Sequence, residues 1–350
     1  MTAPVVTIAG REIGPGCPPY VIAEVSGNHN GDIERAFAIM EAAKEAGADA
    51  VKLQTYTADT MTIDHDGPDF TIKGGLWDGR RLYDLYEWAH TPWEWHEALF
   101  EKGRALGITV FSTPFDATAV DFLEKLGAPA YKIASFELVD LGLIERVAAT
   151  GKPMIVSTGM GDLAEIAEAV ATARSAGCRE LIMLHCVSGY PTPVEESNLL
   201  TITELARQFN TVTGLSDHTL GIGVAVAATV LGAAAIEKHV TLRRQDGGPD
   251  AAFSLEPEEL MALVKECRTA WTAIGVAGFE RKASEVPNVI FRRSLYVVAD
   301  VKKGEPLTEW NVRAIRPGHG LAPKHLKEVL GRPAARDLKR GEPVSCDMVG

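Results

Sequence analysis

Eight short apolar runs alternate with helix-forming segments over the first 280 residues, and this repetition restricts the possible folds more than any other feature. The runs that predict strands are 20–25, 50–55, 108–112, 130–134, 154–158, 181–186, 212–216 and 235–240. The helical patterns between them include 32–46, 92–106, 118–126, 163–176, 198–209 and 221–231. Eight strand–helix units are the number that builds a (β/α)8 TIM barrel, an α/β fold. A doubly wound parallel sheet is the alternative, but no GxGxxG motif follows the first predicted strand.

A long insertion, residues 57–90, separates the second and third predicted strands and is rich in Trp, Tyr, Asp and Gly. Insertions of this length in a compact domain usually have a functional role. We therefore expect this segment to act as a lid or as a specificity element.

The chain changes character after residue 280. Residues 281–290 are polar and predict a linker, whereas 291–350 contain short β-rich pieces and two Lys/Arg-Gly-Glu-Pro turns. We predict a barrel domain over 1–280 and a small domain over 291–350 with little core of its own. Residues 281–350 hold 14 Lys+Arg and 8 Asp+Glu, whereas 1–280 hold 21 and 39. The basic segment could dock on the acidic one or bring cations to an anionic ligand, although random variation in composition explains the split equally well.

The overall composition argues against several kinds of partner. A net charge of −12 disfavours nucleic acid. Because no apolar run approaches the length of a membrane span, we expect no membrane association. The five cysteines are an odd number without CxxC spacing, which argues against a disulfide framework and favours a reducing, cytoplasmic compartment.

Two histidines, His218 and His239, end the seventh and eighth predicted strands. Neighbouring parallel strands place their carboxyl ends at the same edge, so the two imidazoles are expected to lie close together. Such a pair is a plausible site for a divalent metal with open coordination positions. Taken singly, each histidine is more often an ordinary core or surface residue.

Two lysines, Lys52 and Lys132, lie within predicted barrel strands, where an ammonium group is costly without an anion. Ser and Thr hydroxyls at the other strand ends would complete a cradle for phosphate or carboxylate. The alternative is a structural network in which the lysines pair with Glu24 and Glu137. Condensation of phosphoenolpyruvate with an aldehyde would use the anion cradle and a metal that polarises the carbonyl.

The motifs at the strand ends resemble those of the sialic acid synthase family. They are Ile22-Ala23-Glu24, Asn28-His29-Asn30-Gly31, Val51-Lys52-Leu53-Gln54-Thr55, Ser112-Thr113-Pro114-Phe115, Tyr131-Lys132-Ile133, Ser157-Thr158-Gly159-Met160, His185-Cys186, Tyr190-Pro191-Thr192-Pro193, Gly214-Leu215-Ser216-Asp217-His218-Thr219 and Glu237-Lys238-His239. The tail, with Ile315-Arg316-Pro317-Gly318 and Gly320-Leu321, resembles that family's antifreeze-like SAF domain, which has a β-clip-like fold.

The resemblance implies that phosphoenolpyruvate, an N-acetylated amino-sugar aldehyde and water give a nine-carbon α-keto acid and phosphate. It implies that His218 and His239 hold Mn²⁺, with Mg²⁺ or Co²⁺ as alternatives. The residues implied to bind phosphoenolpyruvate are Lys52, Thr113, Lys132, Ser135, Ser157, Ser188 and Ser216. Those implied to face the sugar are Glu24, Gln54, Tyr190 and Asp250. The expected catalytic group is Glu24, Lys52, Lys132, Glu137 and Asp217, with the proton-transfer roles of Glu24 and Glu137 left open. Arg316 would enter the site of a partner subunit in a domain-swapped homodimer.

Within the family, the pseudaminic acid synthases are the most similar, on the motifs at 55–62, 82–86, 91–95 and 246–255. The chain also has Ser188 where N-acetylneuraminate synthases usually have Asn. The implied sugar is 2,4-diacetamido-2,4,6-trideoxy-L-altrose, whose 6-methyl group favours an apolar pocket that Trp77, Tyr83, Tyr86 and Trp93 could supply, although these aromatics could equally serve to pack the loop. Alternatives are an N-acetylneuraminate or legionaminate synthase, a non-catalytic sugar-binding protein, and an aldolase that forms a Schiff base on Lys132.

Overall fold

The computed structural model describes residues 4–350 and divides into two compact units, with the boundary between Gly275 and Val276. The first unit begins with an antiparallel hairpin of β1 (Val6–Ile8) and β2 (Arg11–Ile13). Eight parallel strands then close into a barrel. They are β3 (Tyr20–Glu24), β4 (Ala50–Thr55), β5 (Thr109–Pro114), β6 (Tyr131–Ile133), β7 (Met154–Ser157), β8 (Leu181–Cys186), β9 (Val212–Asp217) and β10 (Ala235–His239).

Helices follow the strands in chain order. They are α1 (Ile33–Glu45), α2 (Ala58–Met61), α3 (Leu82–Ala89), α4 (His96–Leu106), α5 (Ala117–Lys125), α6 (Leu141–Ala148), α7 (Leu163–Ser175), α8 (Leu200–Phe209), α9 (Gly223–Val230) and α10 (Pro257–Ile274). Strand β10 pairs with both β9 and β3, which completes the ring. The predicted (β/α)8 barrel is therefore confirmed.

Side chains alternate along each strand between the barrel interior and the helical layer. The interior cluster contains Tyr20, Ile22, Ala50, Phe111, Ala130, Ile155, Ile182, Leu184, Val212 and Ala235. Intervening residues such as Val21, Val51 and Ile236 pack instead in the larger cluster with the helices. Hairpin residues Val6, Ile8 and Ile13 belong to the interior cluster as well. The amino-terminal end is thus packed with apolar groups, and polar strand residues meet at the carboxyl end.

Helix termini follow local rules that are visible in the sequence. Asp32 caps α1 by accepting from the backbone N–H of Glu34, and Asp162 and Glu165 form a reciprocal capping box at α7. Gly107, at the end of α4, has a φ of +64°. This left-handed conformation costs glycine little, and it ends the helix where the Leu-Gly pattern predicts.

The second unit contains an antiparallel pair of strands, β11 (Ser294–Val297) and β12 (Val312–Ile315), and a short helix, α11 (Leu326–Val329). Its ten buried core residues are Leu295, Val297, Val301, Leu307, Val312, Val329, Ala334, Leu338, Val344 and Met348. The expectation of little core was therefore wrong, because apolar residues dispersed among turns converge although they form no periodic run. No helix within residues 4–350 is both long and apolar enough to cross a membrane.

Candidate functional site

A buried network of opposite charges lies at the carboxyl end of the barrel. Lys52 Nζ is 2.8 Å from Glu24 Oε2 and 3.5 Å from Glu237 Oε1. Lys132 Nζ is 3.3 Å from the same Glu237 oxygen, which also accepts from Ser216 Oγ at 3.2 Å. Glu237 therefore joins the two predicted anion-binding lysines.

The two lysines differ electrostatically. Burial opposes the charge of Lys52, but Glu237 and Glu24 outweigh that effect and raise its pKa. Burial dominates at Lys132, with Lys52 adding repulsion, so the pKa of Lys132 is lowered despite Glu237. An incoming dianion would relieve the unfavourable charge of Lys132 most directly.

Two carboxyl groups have pKa values close to neutral pH. Burial raises the pKa of Glu24 to about 7 against the opposing charge of Lys52. Burial also raises the pKa of Glu137 to about 7, and its Oε2 is buried without a hydrogen-bond partner among the described residues. Groups with such pKa values can exchange protons at physiological pH. Gln54 Nε2 donates to Glu24 Oε1 at 2.9 Å and so fixes that carboxylate.

Hydroxyl groups surround the lysines. Thr113 Oγ1 accepts from Lys52 Nζ at 3.2 Å, and Ser157 Oγ is buried without a partner in the described chain. A Cβ atom on Gly159 would lie 2.3 Å from Ser188 Oγ and 2.7 Å from Ser135 Oγ. Glycine therefore allows these two hydroxyls to approach the same backbone, whose N–H donates to Ser135 Oγ at 3.1 Å.

The two histidines lie beside this network, as predicted. His218 and His239 have ring centroids 5.4 Å apart. His218 Nδ1 is 3.0 Å from the Val187 carbonyl oxygen, and because a carbonyl can only accept, Nδ1 carries a proton; in the neutral ring Nε2 then has the lone pair. His239 Nδ1 is 3.3 Å from Ser26 Oγ.

These histidines fit a divalent ion. An ion about 2.1 Å from two imidazole nitrogens at a tetrahedral angle would separate the ring centroids by roughly 5 Å. Burial lowers the pKa of His239 well below its usual value, which keeps that ring neutral. At His218 burial also lowers the pKa, but Cys186 and the Val187 carbonyl reverse the effect, so a metal there would compete with a proton. Within residues 4–350, no group of three or more His, Cys, Asp or Glu side chains is arranged to hold an ion. Two protein ligands would leave most coordination positions open.

An aromatic surface extends outward from the histidines. The Tyr190 ring is 4.6 Å from His218 and 5.3 Å from Phe253, and the Trp77 ring is 5.6 Å from Tyr190. Trp77 Nε1 donates to the Pro249 carbonyl at 2.9 Å, which anchors the insertion 57–90 beside the site.

The other three aromatics that we considered for an apolar pocket, two from the insertion and one just after it, pack locally. Tyr83 donates to Asp59, Tyr86 packs edge-on against Tyr56, and Trp93 stacks on Phe122. Trp77 is therefore in ring contact with a predicted site residue, Tyr190.

Three predicted residues have distinct positions. Asp250 Oδ2 is 3.8 Å from His239 Nδ1, so it lies with the site. Asp217 does not face the interior: its carboxylate pairs with Lys238 behind the strands, because Asp217 alternates with inward-facing Ser216 and His218. Arg316 lies in the second unit, directly after β12, and is exposed.

Glu237 and Phe253 are the site residues that we did not predict. Glu237 lies two residues before His239 on the same strand, so period-two alternation alone places it on the inner face. Phe253, in a short turn, has a ring 4.9 Å from His239, and no comparable signal in the sequence identifies it.

The fold and the site together are those of a (β/α)8 barrel with paired lysines and paired histidines at its carboxyl end. The NeuB family model matches residues 39–278 and the SAF domain model matches residues 292–350. The chain belongs to the NeuB family, as its motifs predict.

Individual relatives agree with this assignment. The chain is 44% identical to a pseudaminic acid synthase of Helicobacter pylori, over 94% of this chain and 97% of that protein. It is 36% identical to an N,N'-diacetyllegionaminic acid synthase of Legionella pneumophila, over 92% of each. A crystal structure of the N-acetylneuraminic acid synthetase of Leptospira borgpetersenii has a TM-score of 0.73 at 31% identity, covering 82% of this chain and 95% of that one.

Proposed function

We propose that this protein is a pseudaminic acid synthase, which condenses phosphoenolpyruvate with 2,4-diacetamido-2,4,6-trideoxy-L-altrose and water. The observation that carries the proposal is the 44% identity to a pseudaminic acid synthase over nearly the whole chain, against 36% to a legionaminic acid synthase of similar coverage. In this reaction C3 of phosphoenolpyruvate bonds to the aldehyde carbon, water adds at C2, and phosphate leaves.

The lysine network supports binding of phosphoenolpyruvate. Lys52 and Lys132 provide two buried positive charges about the same carboxylate oxygen, and the Ser135, Ser157 and Ser188 hydroxyls lie on the following strand ends. A ligand with phosphate and carboxylate groups would replace contacts that Glu237 now makes. Glu24 and Glu137, with pKa values near 7, are the groups placed to move protons to or from the water and the aldehyde oxygen.

We propose that His218 and His239 hold the divalent ion, which the resemblance to the family implies is Mn²⁺, with Mg²⁺ or Co²⁺ as alternatives. Two imidazoles favour a transition metal over Mg²⁺. When bound, the ion would act as a Lewis acid toward the aldehyde oxygen. The chain's own contribution is to fix the neutral tautomer of His218 through the Val187 carbonyl.

The aromatic surface supports a sugar with an apolar end. In an extended sugar, C6 lies about 6 Å from the aldehyde carbon. An aldehyde beside His218 would therefore direct C6 along Tyr190 toward Trp77, which are the next rings outward. Transfer of a 6-methyl group from water to these ring faces is favourable in free energy. The 6-hydroxyl of N-acetylmannosamine would instead lose its hydration there.

Phosphate release tests the proposal. The purified protein would be given phosphoenolpyruvate, Mn²⁺ and either the altrose sugar or N-acetylmannosamine, with His218→Ala as the background control. We expect faster release with the altrose sugar. Faster release with N-acetylmannosamine would refute the pseudaminate assignment and favour an N-acetylneuraminate synthase. Release with neither sugar would refute the pseudaminate assignment and leave the legionaminate synthase and the non-catalytic sugar-binding protein as the alternatives.

We further propose a domain-swapped homodimer in which Arg316 completes the partner's site, and a cytoplasmic location. The net charge of +6 on residues 281–350, against −18 on residues 1–280, supports the first proposal. Five unpaired cysteines support the second. Sedimentation of the intact protein, with Arg316→Ala compared with the exposed Arg313→Ala for its effect on turnover, tests the dimer.

A further inference from the structure

A fully buried ion pair joins the two strands that carry His218 and His239. Lys238 Nζ is 2.6 Å from Asp217 Oδ2, and the two side chains are 0% and 1% exposed. The residues are direct partners in the register of β9 and β10. Each one immediately precedes a histidine, so the pair lies on the outer face of the strands while the imidazoles lie on the inner face.

The pair also binds the backbone just beyond His218. Strand β9 ends at Asp217, so the sheet ladder no longer holds the residues that follow. Asp217 Oδ1 accepts from the Thr219 N–H at 2.8 Å, and Lys238 Nζ donates to the Thr219 carbonyl at 2.6 Å. Both polar backbone groups of Thr219 are therefore fixed by the ion pair, and His218 is enclosed between Asp217 and Thr219.

His239 has different support. It is the last residue of β10, and its carbonyl accepts from the Leu255 N–H at 2.8 Å. The His218 carbonyl accepts from the Thr192 N–H at 3.1 Å, in a segment that leaves the sheet. Beyond the end of β9, the backbone around His218 is therefore held by this one bond to Thr192 and by the contacts of Asp217 and Lys238 with Thr219.

We propose that Asp217 and Lys238 are positioning residues that set the geometry of the His218–His239 pair for metal binding; this inference rests on the proposed metal site. Stability alone does not account for the pair, because apolar residues of similar volume commonly replace a buried ion pair without loss. Hydrogen bonds that orient metal ligands from behind typically change metal affinity by 10- to 100-fold when they are removed.

The double variant Asp217→Leu/Lys238→Met tests the proposal, because it removes both charges together. Its Mn²⁺ affinity is measured by calorimetric titration without phosphoenolpyruvate or sugar, and its Tm is measured without metal. We expect the Kd for Mn²⁺ to rise by about 10- to 100-fold. The Tm increase caused by phosphoenolpyruvate should be retained, because Lys52 and Lys132 face the interior. A structural role would weaken both ligands equally, and a Kd for Mn²⁺ within twofold of the original would overturn the proposal.

Asp217→Asn provides a second variant that keeps the side-chain volume and the acceptor for Thr219, should the double variant not fold. We expect a rise of at least about threefold in its Kd for Mn²⁺, and an unchanged Kd would likewise overturn the proposal. Thr55→Val is the matched control, since Thr55 is buried and bonded to Ser112 and His96, and these bonds do not involve the segments that carry His218 and His239. If the original protein bound no Mn²⁺, the metal site and this inference would both fail, whereas the sugar assignment would be tested separately by turnover.

Discussion

Replacement of Lys52 and Lys132 by methionine should have different effects on stability although both lysines serve the same proposed ligand. Lys52 contacts two carboxylates, at 2.8 and 3.5 Å, whereas the described residues give Lys132 one carboxylate partner, at 3.3 Å. At an effective dielectric constant of about 20, each contact corresponds to roughly 5 kcal/mol of attraction, most of which desolvation offsets.

The pKa shifts show whether the charge of each lysine stabilises or destabilises the fold. The raised pKa of Lys52 means that its charge stabilises the fold below pH 10.5, the usual value, and that this stability is lost as pH rises through the folded-state pKa. The lowered pKa of Lys132 means that its charge destabilises the fold at neutral pH. We therefore expect Lys52→Met to cost about 3–5 kcal/mol, a fall in Tm of roughly 10 °C, because it leaves Glu24 buried without its cation. Lys132→Met should change the stability by less than about 1 kcal/mol.

Both variants should bind phosphoenolpyruvate more weakly, since truncating one partner of a buried charge pair costs at least about 2 kcal/mol of binding free energy. This corresponds to a rise of about 30-fold in KM for phosphoenolpyruvate. Thermal unfolding without ligands and phosphate release at varied phosphoenolpyruvate measure the two effects. Lys152→Met is the matched control, because Lys152 pairs with Glu124 on the outer surface and should affect neither property strongly. An equal fall in Tm for Lys132→Met and Lys52→Met, or an unchanged KM, would refute the reasoning.

Three further outcomes are expected. His218→Ala should abolish calorimetric Mn²⁺ binding and reduce turnover at least about 100-fold; full activity without bound metal would contradict the metal proposal. Because burial raises the pKa of Glu137 from 4.5 to about 7, ionisation of Glu137 is disfavoured in the folded state. Stability therefore falls as pH rises from about 4.5 to about 7 and stays at the lower value above pH 7. Glu137→Gln should therefore raise Tm relative to the original protein at pH 8 and not at pH 5, and an equal change at both would exclude the shift. Trp77→Ala should raise KM for the altrose sugar about 10-fold, because it removes the ring face that is proposed to contact the 6-methyl group. Trp88→Ala should leave KM unchanged.

Most of the barrel could be predicted because short apolar runs alternate regularly with helical patterns along the sequence. All eight predicted strands are found, with ends that differ by no more than two residues. The hairpin of β1 and β2 was not predicted, since strands of three residues are too short to show alternation. The core of the second unit was underestimated for a similar reason, because residues such as Leu307 and Val344 come from turns.

The site was partly predictable because parallel strands place their carboxyl ends together. That rule brought Lys52, Lys132 and the two histidines to one edge. The rule does not distinguish the inner face of a strand from its outer face, and Asp217 was therefore wrongly included among the interior residues. Counting one residue back from His218 would have placed its carboxylate outside the barrel. The contact of Trp77 with Tyr190 depends on the path of a long insertion, which no periodic pattern determines.

The most direct test of the account is a competition between the two sugars at equal concentration in one reaction with phosphoenolpyruvate and Mn²⁺, with the products identified by mass spectrometry. The account predicts that pseudaminic acid is the main product and that its excess falls in Trp77→Ala. An excess of N-acetylneuraminic acid, with the original protein fully folded, would contradict it.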